Sequence, residues 1–480
     1  MFTAESRCQL LNNLSSSRFR QVFHLTDLTS LSISSVGPLF SIAAAGGVMI
    51  ELAGSDVMWA ILIIAIPLLA SAFIFRLLNQ HFPNAGASYH WGRQVMGARY
   101  ARFQAIVVIV AYFSSLPPIV MPAAQYTWAL FFPNQNAPVL ALFMISAFWV
   151  TFAMIPLLMG SKPTARFTEL FLGIEVLSLA ILMITALWRF PLLHVKVFAE
   201  PHIPWTGIFI AAVVASTIMD GWEIDSYAAE EAKAPTKDPG LSGILGALFA
   251  FGTYAILFPL ILHETPLRLI SNSPDPLSAW AFRVFPSAHW IILIPILAST
   301  AGSLWLTTYI LSRVLFALGR DRLLPQHFTQ MNTRKSPYLA IILPLSLALL
   351  IVSLELWVPS LDHLFQVVLS SAGFFLTLEF FLDSLSASWF LTKIHRHQWP
   401  HAGDHQHLPL RILSYLTSSL LFGLLGLFLV LAPGLMGSSI DWIVGGIVLF
   451  AGFYALQHHG AQPFYVFDPT DFIEVKSPDK

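Results

Sequence analysis

Asp220 and Glu223 stand inside the apolar run 206–229, in the stretch Ser216-Thr217-Ile218-Met219-Asp220-Gly221-Trp222-Glu223. A carboxylate in hydrocarbon costs at least ~2.5 kcal/mol on insertion scales and is seldom idle there. It binds a cation, holds a proton or meets a partner. Glu175 lies some 8 residues into the run 167–188, which at 1.5 Å per residue puts it about 12 Å deep. Two readings of Glu175 weigh equally: a structural hydrogen bond to a neighbouring helix, or proton coupling. Glu379 and Asp383 share one face of the run 363–391. Carboxylates that close disfavour double ionisation and tend to hold a proton.

These acids need elements that carry them into a membrane. Hydrophobic residues make up 56% of the chain and charged residues only 11%. A water-soluble fold cannot hide that much apolar surface. Twelve runs are long enough to span hydrocarbon: 28–51, 57–78, 99–128, 137–160, 167–188, 206–229, 241–263, 290–318, 338–357, 363–391, 410–431 and 442–456. They lack period-two alternation, which favours helices over a barrel. The basic residues alternate accordingly. Arg76, Arg93, Arg99, Arg102, Lys162, Arg166, Lys233, Lys237, Arg313, Arg320, Arg322, Arg334, Lys335, Lys393, Arg396 and Arg411 fall on one side, expected to be cytoplasmic with both termini. Arg189, Lys196, Arg268 and Arg283 fall on the other. Residues 1–24 read as a cytoplasmic tail without a cleavable signal peptide, 25–458 as one transmembrane domain, and 459–480 as a second tail. The proline-rich outer loop 264–289 reads as an irregular cap, and the compact tails suit a prokaryotic plasma (inner) membrane.

Two spans break in corresponding places. The first contains Ser34-Ser35-Val36-Gly37-Pro38, and the sixth contains the Asp220–Glu223 cluster. If spans eleven and twelve (410–458) are extra, spans one and six open two five-helix repeats, about 25–190 and 204–392. Paired interruptions in inverted repeats mark transporter binding sites. Freed amides attract a carboxylate and freed carbonyls an ammonium. For Gly37-Pro38 a plain kink weighs as much as a site; Pro67, Pro118, Pro156, Pro259 and Pro295 read only as kinks. Substrate contacts are expected from Ser35, Gly37, Pro38, Ser216, Thr217, Asp220, Gly221 and Trp222, and from Trp305 through cation–π contact with an amine. Asp220, Glu223 and Glu175 are the proton-coupling candidates. Most Ser and Thr of span eight are expected to bond their own backbone.

Three stretches resemble the amino acid–polyamine–organocation permease family. Pro83-Asn84-Ala85-Gly86-Ala87-Ser88-Tyr89-His90-Trp91 is similar to its Pro-x-x-Gly-Gly-x-Tyr-x-Trp segment, with Ala87 in place of the second Gly. Gly221-Trp222-Glu223, Glu230-Glu231 and Pro235 follow its Gly-Phe-Asp…Glu-Glu…Pro pattern. Ser312-Arg313, Ala317-Leu318-Gly319-Arg320-Asp321 and Leu324-Pro325 match a third motif, the most specific of the three. The resemblance implies an all-α membrane fold with discontinuous helices one and six, as in a bacterial leucine transporter. The implied substrate lies between helices one, three, six, eight and ten. Glu230, Glu231, Arg313, Arg320 and Asp321 become cytoplasmic gate elements. Gly37-Pro38 departs from the family's Gly-x-Gly break, and Glu175 stands nearest to a helix-five Lys common in the family.

The expected function is secondary active transport of an amino acid, coupled to protons or run as exchange. A polyamine or other cationic amine is the alternative, and a solute sensor without transport stands behind both. The net charge of −1 argues against a nucleic-acid partner. Cys8 is the only cysteine, which excludes a cysteine-based metal site and an internal disulfide. With no nucleophile–base pair or phosphate loop, neither enzyme activity nor a cofactor or metal is expected. The partners are a small solute and the lipid bilayer. The segment His395-Arg396-His397…His401…His405-Gln406-His407 reads as a solvated loop more readily than as a metal or acid sensor.

Overall fold

The computed structural model describes residues 19–133, 135–189, 205–270, 273, 275–287, 289–357, 361–395 and 408–457. Among them the regular elements are helical: α1 (Leu25–Val36), α2 (Pro38–Ala53), α3 (Val57–His81), α4 (Ala87–Val95), α5 (Ala98–Ser115), α6 (Pro117–Phe131), α7 (Val139–Met159), α8 (Ser161–Arg189), α9 (Trp205–Met219), α10 (Ile224–Tyr227), α11 (Asp238–Glu264), α12 (Leu267–Ile270), α13 (Pro276–Val284), α14 (Leu293–Arg320), α15 (Tyr338–Glu355), α16 (Leu361–His395), α17 (Leu408–Met436) and α18 (Ser439–Leu456). Nine helical stretches among the described residues are long and apolar enough to cross a membrane. Trp205–Met219 and Tyr338–Leu354 are shorter apolar helices.

Burial grades across the bundle. The span within Trp290–Arg320 is 89% buried by the rest of the protein, whereas that of Ser439–Leu456 is 22% buried. So α14 is the axis and α18 the periphery. Peripheral helices present Leu140, Phe422, Val430 and Leu449 outward. Apolar side chains displayed at this scale suit lipid rather than water.

Proline and glycine set the interruptions. α1 ends at Val36, Gly37 takes a left-handed conformation (φ 54°, ψ 63°), and α2 restarts with Pro38 at its first position. Proline lacks the amide that a helix start leaves unbonded, so it fits there without loss. α9 ends at Met219 and α10 resumes at Ile224, with Gly221 at φ 99° between them. Span three, expected as one helix, bends at Leu116, where Pro117 and Pro118 open α6. The outer loop also departs from the irregular cap expected of it. It contains α12 and α13, and the Asp275 carboxylate caps α13 by accepting from Ser278 N at 2.7 Å. Four prolines did not prevent this, because Pro276 sits at the helix start. The histidine-rich segment lies outside the described residues beyond His395.

Gly37 tests how tightly the first break is held. A Cβ built there would lie 2.0 Å from Ser303 Oγ and 3.4 Å from Ser303 Cβ. Gly37→Ala therefore combines a steric clash with left-handed strain of about 1–2 kcal/mol. Thermal unfolding of the detergent-purified protein should show a lowered midpoint. Gly37→Ala/Ser303→Ala should recover part of the loss, and Gly252→Ala, with open space around its Cβ, should leave the midpoint unchanged.

Candidate substrate site

The two breaks lie against each other. A Cβ on Gly221 would sit 2.8 Å from both the carbonyl carbon and oxygen of Ser35. Only glycine allows backbones this close at a left-handed φ. Beside this crossing is a cavity holding about 570 Å³ of atom-free space, its mouth included. Val36, Phe40, Ile119, Ile218, Ile310 and Leu369 form apolar wall. Polar groups are supplied by Ser35, Ser41, Tyr112, Ser115, Thr217, Asp220, Ser303 and Thr307. A mainly apolar wall with a few convergent polar groups is the ordinary composition of a small-molecule site. Ser35 Oγ and Ser303 Oγ are buried and have no hydrogen-bond partner among the described residues. Those two hydroxyls are therefore available to a guest.

The amides at the start of α2 are not available in the same way. Pro38 has none. Leu39 N donates to Glu175 Oε1 at 3.1 Å, Phe40 N to Ser299 Oγ at 3.1 Å, and Ser41 N to the Gly37 carbonyl at 2.8 Å. Ser299 Oγ in turn donates to Glu175 at 2.7 Å. This corrects the expectation that a substrate carboxylate takes the freed amides: the Glu175 carboxyl, from α8, already accepts from the Leu39 amide there. Glu175 thus makes the structural bond between helices that one of its two readings expected.

The sixth-span acids divide. Asp220 is half-buried and faces the cavity. Glu223 is fully buried behind it and accepts Gly221 N on both oxygens, at 2.9 and 2.8 Å. Tyr112, on the cavity wall, donates to Glu223 Oε1 at 2.9 Å. Tyr112 was missed in the sequence, where the one cue is a phenol inside the apolar helix α5.

Three expected contacts fall elsewhere. Trp305 is turned towards α8: its indole nitrogen donates to Thr168 at 3.0 Å and its ring packs edge-on to Phe171. Trp222 stacks on Phe380 at 5.5 Å and meets Phe75 edge-on. Ser216 donates to the carbonyls of Val213 and Gly373, at 2.6 and 2.9 Å, and joins α9 to α16. Trp305 and Ser216 are satisfied within the protein, whereas the Trp222 ring is buried among aromatic neighbours and its indole nitrogen has no hydrogen-bond partner among the described residues. Gly37 and Pro38 shape the break without appearing on the cavity wall. In α14, Thr300 and Thr308 bond their own backbone, whereas Ser299, Ser303 and Thr307 do not.

The three sequence motifs converge at the opposite end of α14. Arg313 grips Glu231 through Nε and Nη2 at 2.9 and 2.7 Å, and Tyr309 donates to the same oxygen. Arg320 holds Glu230 at 3.0 and 2.8 Å, and the amide of Ala85 also donates to Glu230. Asp321 accepts from Tyr89 at 3.0 Å and lies 3.7 Å from Arg93. The segment before α1 joins them: Val22 N and Phe23 N donate to the Glu231 carbonyl, and the Arg313 guanidinium stands over the Phe19 ring. Buried pairs of this kind are costly to part singly and can re-form when helices move together.

The helix breaks, the cavity at their crossing and the clustered end pairs define a polytopic membrane transporter. A family model described as "Amino acid permease" matches residues 23–453. The chain belongs to the amino acid permease family, whose members are membrane transporters and not enzymes. The branched-chain amino acid permease BcaP of Lactococcus lactis subsp. cremoris (strain MG1363) is 22% identical over 338 residues, covering 66% of this chain and 72% of the relative. BcaP of Bacillus subtilis (strain 168) is 23% identical over 351 residues, covering 65% and 70%. The large neutral amino acids transporter small subunit 2 of Homo sapiens is 22% identical over 284 residues, covering 55% and 51%. Among solved structures, a mutant of the Eremococcus coleocola manganese transporter aligns with a TM-score of 0.61 at 12% identity, covering 92% of this chain and 96% of that one. That likeness is one of fold alone.

Glu175→Ala would leave the Leu39 amide unbonded in a buried site, a loss of about 1–3 kcal/mol. Glu175→Gln keeps an acceptor oxygen. The unfolding midpoint should fall clearly in the first variant and little in the second.

Proposed function

We propose that this chain moves a neutral amino acid with an apolar side chain across the plasma membrane by alternating access. The observation that carries the reading is the cavity at the crossing of the two breaks. Its apolar wall suits an aliphatic side chain, half-buried Asp220 suits an ammonium, and the unpartnered Ser35 and Ser303 hydroxyls suit a carboxylate. The names of the branched-chain relatives point the same way.

The architecture we assign is twelve spans with both termini cytoplasmic. The apolar stretch Leu25–His81 holds 57 residues, nearly three times what one crossing needs. Divided at Gly54–Asp56 it gives two spans, and the shorter helices α9 and α15 complete the twelve. The reading adopts two five-helix repeats, about 25–190 and 204–392, with α17 and α18 as additions. Glu230, Glu231, Arg313, Arg320 and Asp321 then form an inner gate that is closed here and parts when the cavity opens inward. Asp220, Glu223 and Glu175 stay as candidates for binding a driving proton, and exchange without a proton is the other mode.

Uptake of radiolabelled L-leucine into proteoliposomes tests the substrate. Asp220→Asn keeps size and removes the charge that an ammonium would meet, a charged hydrogen bond of about 1.5–3 kcal/mol. Uptake should drop by about 10-fold or more with an unchanged unfolding midpoint. Uptake of putrescine in place of any amino acid would move the assignment to cationic amines. Single cysteines at Ser273 and Ser438 should react with an impermeant maleimide added outside, and those at Thr236 and Asn332 should not; the reverse pattern would overturn the orientation.

A further inference from the structure

Behind the cavity the buried acids are not separate. Tyr112 Oη lies 2.9 Å from Glu223 Oε1 and 3.3 Å from Glu379 Oε1. Tyr227 Oη lies 2.5 Å from Glu379 Oε1, and Ser88 Oγ lies 3.0 Å from the same atom. Ser88 Oγ is also 2.6 Å from Asp383 Oδ2 and 3.1 Å from Tyr227 Oη. Gln104 Nε2 donates to Asp383 Oδ1 at 2.7 Å. All of these side chains are buried, and the second oxygen of Glu379 has no hydrogen-bond partner among the described residues. We infer that Glu223, Tyr112, Glu379, Ser88 and Asp383 form a proton relay from the substrate cavity towards the inner gate.

Hydrogen atoms are too few without carried protons. Six short oxygen–oxygen separations join these groups, and the hydroxyls of Tyr112, Tyr227 and Ser88 supply one hydrogen each. A proton on a carboxyl oxygen fills part of the remainder. Charge demands the same. Asp220 lies within electrostatic reach of Glu223 and Glu379, and Glu223 within reach of Asp383. Four negative charges gathered in hydrocarbon without a counter-ion are not stable.

Among the described residues no salt bridge joins the relay. From α5 it is faced by Tyr100, Gln104 and Tyr112, from α4 by Ser88, and from the second break by Asp220, Glu223 and Tyr227. Of the described Arg and Lys side chains on α4, α5 and α16, Arg93 reaches Tyr89 and Asp321, Arg102 the Ala455 carbonyl and Lys393 the Val95 carbonyl, and Arg99 is exposed. His90 on α4 lies 3.4 Å from Gln94. On α3, Asn79 bonds Ser226 and His81 bonds the Leu77 carbonyl.

Transfer balances at every step. A proton leaves a Glu223 carboxyl oxygen for Tyr112 Oη as the Tyr112 hydroxyl hydrogen passes to Glu379 Oε1. One O–H bond breaks and one forms at Tyr112, which ends unchanged. Ser88 Oγ then accepts from Glu379 and gives its own hydrogen to Asp383 Oδ2. No oxidant or co-reactant is needed, and reversal runs the path the other way. Because Tyr112 also lines the cavity, an occupant there bears on the first transfer.

This rests on the transport reading above, so the test separates the two. Purified protein in liposomes containing a pH dye is examined with L-leucine for internal acidification driven by uptake and, separately, for leucine counterflow at equal pH. Wild type should show both. Glu379→Gln and Asp383→Asn should keep counterflow within about 3-fold and lose acidification at least ~10-fold. Infrared spectroscopy of the same samples reads the relay without any substrate: a carboxylic-acid C=O band at neutral pH should be diminished in both variants. Full acidification in both variants, or counterflow without acidification in wild type, overturns the relay while leaving leucine transport standing. Absent leucine counterflow in wild type removes the amino-acid reading, and the infrared band then decides the relay, its absence or its insensitivity to both substitutions overturning it.

Discussion

Interrupting a helix inside hydrocarbon exposes amide and carbonyl groups where no water can bond them, and the protein itself must supply every partner. Much of this fold follows from that constraint. Pro38 removes one donor at the first break, Glu175 and Ser299 bond the next two, and Gly221 at the second break is bonded by Glu223. Glu175 and Ser299 bring polar side chains from other helices into the centre of the bundle, and Glu223 bonds the break of its own span. α8 and α14 are thereby tied to the first break, the sixth span meets it where Gly221 packs on the Ser35 backbone, and the cavity lies beside that crossing. Glu175 and Glu223 are buried where the broken helices present amides for them to bond.

The same group then does two jobs at different depths. Glu223 stabilises the backbone of the break and, through Tyr112, joins the cavity wall to Glu379 and Asp383. At the far end of α14 the charges are arranged differently, with each carboxylate facing an arginine: Glu231 with Arg313, Glu230 with Arg320, Asp321 with Arg93. Paired charges hold a conformation, whereas unpaired acids in a chain of hydroxyls hold protons. The structure segregates the two kinds along one axis.

The membrane character, the two interruptions and the charged motifs that pair at the end of α14 were legible in the sequence because each has a local signature: apolar length, Gly-Pro or an acid in an apolar run, and charges at helix ends. Bends and caps were less legible. Pro117-Pro118 divides span three, and Pro276 with Asp275 builds a helix in what read as an irregular loop. The partners of individual side chains were not legible. Trp305 was expected at a substrate and bonds Thr168 instead, since helix rotation decides which face a residue presents. Tyr112 and Ser88 carry no motif of their own for the network they join. Their roles arise from α4, α5, the second break and α16 meeting in space, with up to 295 residues between partners.

The central claim is that a solute sits at the crossing of the two breaks. A cryo-electron-microscopy structure of the protein in L-leucine tests it most directly. The account predicts leucine between Gly37 and Gly221, its carboxylate on the Ser35 and Ser303 hydroxyls, its ammonium towards Asp220, and Glu175 still bonded to the Leu39 amide. Leucine with its carboxylate on that amide and Glu175 displaced, or leucine bound away from both breaks, would contradict it.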